Sequence, residues 1–197
     1  MENKNPQDRN ARSASVHKLT GMAMLAAIVV VLQLLGSFIK VGPVSVSLVL
    51  VPIAVAAALY GPVAGAVIGG IFSVVVLLQP DTAFFYGLSA MGTVVTVLCK
   101  GVLAGLISGL MYRALEKENS LVAVILAALV CPLVNTGLFL LGCRIFFWEG
   151  LTQLAGGANT FAYVITTMIG FNFLAELVVN LVCVPVIQRI IKAVAKK

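Results

Sequence analysis

Residues 19–38 pass without a single charge, and at roughly 1.5 Å of rise per residue they make a helix about 30 Å long, the thickness of a bilayer's hydrocarbon core. Five further apolar runs follow, at about 48–59, 63–78, 88–112, 121–147 and 161–191. The chain is 61% hydrophobic and 10% charged, with mean hydropathy +1.11, whereas a soluble domain carries roughly a quarter charged residues. The expectation is an all-α integral membrane protein, a compact bundle of six transmembrane helices with no length left for a soluble domain.

Residues 1–18 are polar and charged and read as a cytoplasmic tail, disordered at first and helical near its end; the membrane domain then occupies 19–197. The tail is long and no A-x-A-like cleavage context follows, so the first run is a retained helix rather than a signal peptide. Gly42 and Pro43 punctuate a Val/Ser alternation suited to a short extended segment, and Tyr60, Gly61 and Pro62 make a tight turn with Pro62 opening a helix. Pro132 lies within the fifth run, where loss of a backbone donor is expected to bend the helix.

Ten of the thirteen basic residues fall on one side of a six-span layout: Lys4, Arg9, Arg12, Lys18, Arg113, Lys117, Arg189, Lys192, Lys196 and Lys197. Lys40 and Arg144 fall on the other, so both termini are expected in the cytoplasm, with 39–47, 79–87 and 148–160 as outer loops. Because the basic residues sit at helix ends and form no single patch, the formal charge of +6 reports topology and not nucleic-acid binding. Cys99, Cys131, Cys143 and Cys183 lie in apolar runs without C-x-x-C pairing or a nearby histidine, and are packing residues, not a metal site.

Lipid gives helices little hydrophobic reason to associate, so small residues that permit close approach carry much of the packing. Gly61, Gly65 and Gly69 recur every fourth residue, as do Gly101, Gly105 and Gly109, and both rows are expected to pack the bundle against itself. Ala23 and Ala27 form a shorter row whose neighbour is either a helix of this chain or a partner's. Lys100 and Glu176 fall inside apolar runs, about 21 and 24 Å from the outer ends of their spans by helical rise. At matched depth a structural ion pair, or snorkelling of Lys100 to the cytoplasmic surface, comes ahead of substrate contact.

Nine of the fifteen aromatics gather at the outer loops: Phe38, Phe84, Phe85, Tyr86, Phe146, Phe147, Trp148, Phe161 and Tyr163. One explanation is an interfacial belt. The other is a pocket that stacks a flat ligand, whose edge Asn135, Arg144, Gln153, Asn159 and Asn172 would hydrogen-bond; Asn180 is deeper and reads as packing.

The sequence has no G-x-x-x-x-G-K-[ST] phosphate loop, no H-E-x-x-H and no G-x-S-x-G, and its one histidine, His17, is in the tail. Glu176 stands alone in its span, and Asp81 and Glu149 are loop residues. No catalytic residue, metal or cofactor is assigned, and an enzyme using Glu176 and Lys100 as acid and base is the least favoured class.

In order along the chain, "AMLAA", "ALYGPVAGAVIGG", "KGVLAGLISGLMYRALEKEN" and "GFNFLAELVVN" give a pattern that resembles the substrate-binding S components of energy-coupling factor (ECF) transporters, which take up vitamins and related micronutrients in prokaryotes. The resemblance implies a multi-pass subunit of the prokaryotic cell membrane that captures a vitamin-like small molecule outside. It would then dock on a transmembrane scaffold subunit and, through it, two ATPases, and topple to release its cargo inside. It also implies that Ala23 and Ala27 form the docking row and that Phe84, Phe85, Tyr86, Asn135, Arg144, Trp148 and Asn172 occupy pocket positions; it gives Glu176 no role. The missing phosphate loop fits that division of labour, since the subunit would be no enzyme. Aromatics and amides lean toward a flat heterocycle such as a flavin, pyrimidine, pyridine or deazapurine, while Arg144 or Lys40 could hold a carboxylate. A solitary transporter working without ATPase partners is the alternative.

Overall fold

The computed structural model describes the backbone of residues 6–36, 40–41, 44–45 and 49–195, and the side chains of 15–36 and 49–194. Expectations resting on Phe38, on most of the 39–47 loop, or on the side chains of Lys4, Arg9, Arg12, Lys40, Lys196 and Lys197 lie outside the described residues.

Helix α1 spans Pro6–Gly36. Pro6 stands at its first position, where a missing N–H costs nothing. The tail is therefore helical from residue 6 and not only near its end, because extending a nucleated helix adds a hydrogen bond per residue with no second nucleation. Strands β1 (Lys40–Val41) and β2 (Val44–Ser45) pair antiparallel, Lys40 opposite Ser45 and Val41 opposite Val44, the extended segment that the Val/Ser alternation implied. Helices α2 (Leu50–Tyr60) and α3 (Pro62–Leu77) are joined by Gly61 alone, at φ 96°, a backbone that side chains with a Cβ avoid.

After α3 the chain bends by 79° into the short α4 (Thr82–Leu88). Helix α5 (Ala90–Leu115) and helix α6 (Ser120–Phe146) follow, the latter running through Pro132. Then come α7 (Trp148–Leu154), α8 (Thr160–Tyr163), a π-helical segment (Val164–Ile169) and α9 (Gly170–Ala195). The segments expected as the loops 79–87 and 148–160 thus contain α4 and α7. Each earns a turn of helix by burying an apolar side chain on the bundle, Phe85 from α4 and Leu151 from α7. Ser89 caps α5 by accepting from the Gly92 N–H, and Asn119 caps α6 by accepting from the Leu121 and Val122 N–H groups.

Among the described residues, four helical stretches are long and apolar enough to cross a membrane: Ser15–Gly36, Ala90–Leu115, Ser120–Phe146 and Thr160–Val194. The bent pair α3 and α4 makes a fifth if taken as one span, and α2 is a shorter apolar helix.

The tightest seam is between α3 and α5, where the two glycine rows face each other. A Cβ on Gly65 would come within 2.5 Å of the Gly105 carbonyl oxygen, and one on Gly101 within 2.5 Å of the Gly69 oxygen. Only glycine permits such an approach. Ser73 reinforces the seam by donating to the Val97 carbonyl at 2.7 Å, and Ser108 ties α5 to α6 by donating to the Ala127 carbonyl at 2.9 Å. Around them Val29, Leu50, Ile53, Phe72, Ala104 and Cys131 form a continuous core. Helix α1 is the least enclosed of the long helices, and its exposed side carries Ala23 and Ala27 beside Met24, Ile28, Val31, Leu34 and Leu35.

Candidate functional site

Three helices turn polar faces toward one another inside the bundle. On α9, Asn172, Glu176 and Asn180 recur every fourth residue, one above the other, and all are at most 5% exposed. On α6, Cys131, Asn135, Phe139 and Cys143 form a second such stripe, and on α5 Thr96 and Lys100 form a third.

Lys100 is the centre of this cluster. Its ammonium lies 5.3 Å from the Phe139 ring centroid and 5.9 Å from that of Phe72, so two π-faces stabilise a charge that water does not fully reach. Glu176 lies within Coulombic reach of Lys100, and so does Cys143. The expected depth of Lys100 needs correction: counted from the start of α5 at Ala90, Lys100 lies about 15 Å along the helix, not about 21 Å. Glu176 nonetheless lies within Coulombic reach of it, with a π-helical turn between α8 and α9 on the way.

The amides divide their hydrogen bonds. Asn172 Nδ2 donates back to the Met168 carbonyl at 3.3 Å, and Asn180 Nδ2 to the Glu176 carbonyl at 2.8 Å. Asn135 Oδ1, Asn180 Oδ1 and the Thr96 hydroxyl are buried with no hydrogen-bond partner among the described residues. Such groups are rare in native interiors and call for an explanation.

An aromatic cluster closes over the polar one. Phe85 stands edge-on to Phe84 at 5.1 Å and to Phe139 at 5.4 Å, and tilts against Phe147 at 5.4 Å. Cys143, Leu151, Val164, Met168 and Ile169 complete it. Phe139 belongs to both groups, touching Phe85 on one side and the Lys100 ammonium on the other.

The remaining sequence-derived positions lie farther out. Tyr86 is exposed and donates its hydroxyl to the Leu77 carbonyl at 3.3 Å. Arg144 is exposed, its guanidinium stacked 4.7 Å from the centroid of the half-buried Trp148. Gln153 is exposed, and Asn159 is occupied in capping α8 through the Phe161 and Ala162 N–H groups. Of the pocket candidates, the structure therefore gathers Phe84, Phe85, Asn135 and Asn172 near Lys100 and Glu176, and leaves Tyr86, Arg144 and Trp148 toward the rim.

Sequence reasoning missed Phe72, Phe139, Thr96 and a pair of glutamines. Gln33 Nε2 donates to Gln79 Oε1 at 2.8 Å while Gln79 Nε2 donates to the Gln33 carbonyl at 3.0 Å, a buried clasp between α1 and the bend before α4. A lone glutamine within an apolar run was the available signal for Gln33.

A family model described as "ECF transporter, substrate-specific component" matches residues 17–188. No curated protein and no solved structure matches the chain.

Proposed function

Because this chain belongs to the family of ECF transporter substrate-specific components, we propose that it captures a vitamin or related micronutrient at the outer face of a prokaryotic cell membrane and hands it inward with a scaffold subunit and two ATPases. The observation that carries this reading is the buried polar cluster around Lys100, Asn135, Asn172 and Glu176 beneath the Phe84, Phe85 and Phe147 rings. Polar and charged groups inside a membrane are expensive and are functional-site candidates by default, and aromatic walls with a few polar groups are the usual lining of a small-molecule pocket.

In this reading α2 and the bent pair of α3 and α4 supply the two membrane crossings beyond the four long helices, which returns both termini to the cytoplasm. Phe84 and Phe85 cover the ligand, Asn135 and Asn172 bind its edge, and Tyr86, Arg144 and Trp148 form the entrance. The exposed Ala23 and Ala27 offer the scaffold a flat contact on α1.

Native mass spectrometry of the gently purified chain tests the reading. A vitamin-like molecule bound one per chain supports it and names the cargo. No bound molecule from either rich or vitamin-supplemented cultures, together with transport by the lone chain in liposomes, would replace it with a solitary transporter. Replacing Ala23 or Ala27 by Trp is expected to abolish co-purification with the scaffold and leave the bound molecule in place; loss of the bound molecule would put the row in the protein's own core.

A further inference from the structure

The polar cluster contains both signs of charge and both kinds of hydrogen-bonding group, which restricts what it can hold. Lys100 offers up to three N–H donors and is fixed against Phe139 and Phe72. Asn135, 5% exposed, offers a carbonyl oxygen that accepts no hydrogen bond from the described residues. Asn135 sits one helical turn from Phe139 on the same face of α6, about 6 Å along the axis, so Phe139 has the Lys100 donor against its ring and the Asn135 acceptor one turn away. One turn the other way, Cys131 lies within Coulombic reach of Glu176.

These constraints eliminate charged edges. A ligand carboxylate would satisfy Lys100 but bring a second negative charge toward Glu176 and give Asn135 Oδ1 no donor. A cationic ligand would face the Lys100 ammonium. A neutral planar ring with a carbonyl next to an N–H satisfies both side chains: the carbonyl accepts from Lys100, the N–H donates to Asn135, and the ring lies along the aromatic faces.

Resting on the reading of the chain as a substrate-binding subunit, we infer that Lys100 and Asn135 are its specificity-determining residues and that its cargo is a neutral planar heterocycle bearing a lactam or imide edge. Lys100 is then more than the structural half of an ion pair, and the exposed Arg144 is not the group that selects the cargo.

The test is binding to the full-length purified chain, followed through the fluorescence of its one tryptophan, Trp148, and by thermal shift. The probes are riboflavin, lumazine, thymine and 7-deazaguanine, which carry the edge, and nicotinate, which does not. At least one of the first four is expected to bind and nicotinate to bind far more weakly. Methylating the ring N–H of the probe that binds, or changing Lys100→Met, is expected to weaken binding about 10- to 100-fold, the effect of leaving one buried polar group unpaired. In Asn135→Leu, the parent probe and its N-methyl analogue should bind equally. If that variant does not fold, the wild-type comparison of the two probes decides the same point. Tighter binding of nicotinate, or undiminished binding by Lys100→Met, overturns the lactam inference and leaves the transport reading intact. Absence of binding by every probe also overturns it, and if native mass spectrometry finds no bound molecule either, the transport reading fails with it.

Discussion

Gly69 and Gly70 are neighbours on α3, yet the structure assigns them opposite responses to the same methyl group. A Cβ on Gly69 would lie 2.8 Å from the Gly101 carbonyl carbon and closer still to its oxygen, where ordinary contact begins at 3.4 Å. Backbone cannot rotate away, so α3 and α5 would have to part by at least 0.6 Å, roughly the difference of those distances. That shift also stretches the 2.7 Å bond from Ser73 to the Val97 carbonyl. Overpacking of this kind costs about 1–3 kcal/mol, against which alanine's better helix propensity returns at most about 1 kcal/mol. A Cβ on Gly70 meets only Val102 Cγ2, at 3.6 Å, so Gly70→Ala keeps the propensity gain without the clash. Gly69→Ala should thus lower stability by about 1–2 kcal/mol, while Gly70→Ala leaves it unchanged or raises it by up to about 1 kcal/mol. Unfolding in mixed micelles titrated with SDS measures both. Combining Gly69→Ala with Gly105→Ala should cost less than the sum, because helices already parted accommodate the second methyl. Equal effects at 69 and 70 would mean that α3 and α5 do not approach as described.

Gln79→Leu should destabilise by about 1–3 kcal/mol, since it leaves the Gln33 amide buried without its acceptor, and Gln33→Leu by less, since Gln79 Nε2 keeps the Gln33 main-chain carbonyl and only Gln79 Oε1 loses its donor; the double variant should lose less than the sum, and strict additivity in SDS titration would dissolve the clasp. Lys100→Ala and Glu176→Ala are likewise expected to be non-additive in melts of the detergent-solubilised protein, with independent effects arguing against their interaction. Phe85→Ala removes a side chain packed on three other rings and should cost about 3 kcal/mol or more, whereas Tyr86→Ala, exposed beside it, should stay within about 1 kcal/mol; comparable losses at the two positions would show that the aromatic cluster is not closed as drawn.

What the sequence discloses about this fold follows from the range of each signal. The glycine rows are legible because a four-residue period is local; that they face each other, Gly65 against Gly105, comes only from the packed helices. The turn at Gly61 is legible because Pro62 can only begin a helix there. The alanine pair is half legible: the structure adds that Ala23 and Ala27 face outward from α1, which no composition argument supplies.

The site is harder, because its members are ordinary residues until the helices are brought together. Phe72 and Phe139 lie in apolar runs where an aromatic is unremarkable, and only the approach of α5 turns their faces into the walls around Lys100. Arg144 shows the converse, a position whose facing the linear chain does not give. A lone arginine at an outer helix end is the obvious anion binder on a linear chain, but a helix has two sides, and the face of α6 that carries Asn135 and Cys143 to the interior sends Arg144 outward onto Trp148. The π segment at Val164–Ile169 has no local signature at all. It changes the register of α9 relative to α8, and register decides whether Asn172 and Glu176 face the interior or the lipid. A wider turn shifts every later residue around the helix axis, so removing it by deletion of one residue within Val164–Ile169 should rotate the Asn172, Glu176 and Asn180 stripe by roughly 100°. That rotation would carry Glu176 away from Lys100 and abolish their non-additivity in the melting cycle, while persistence of that coupling would show that α9 finds its register from packing alone.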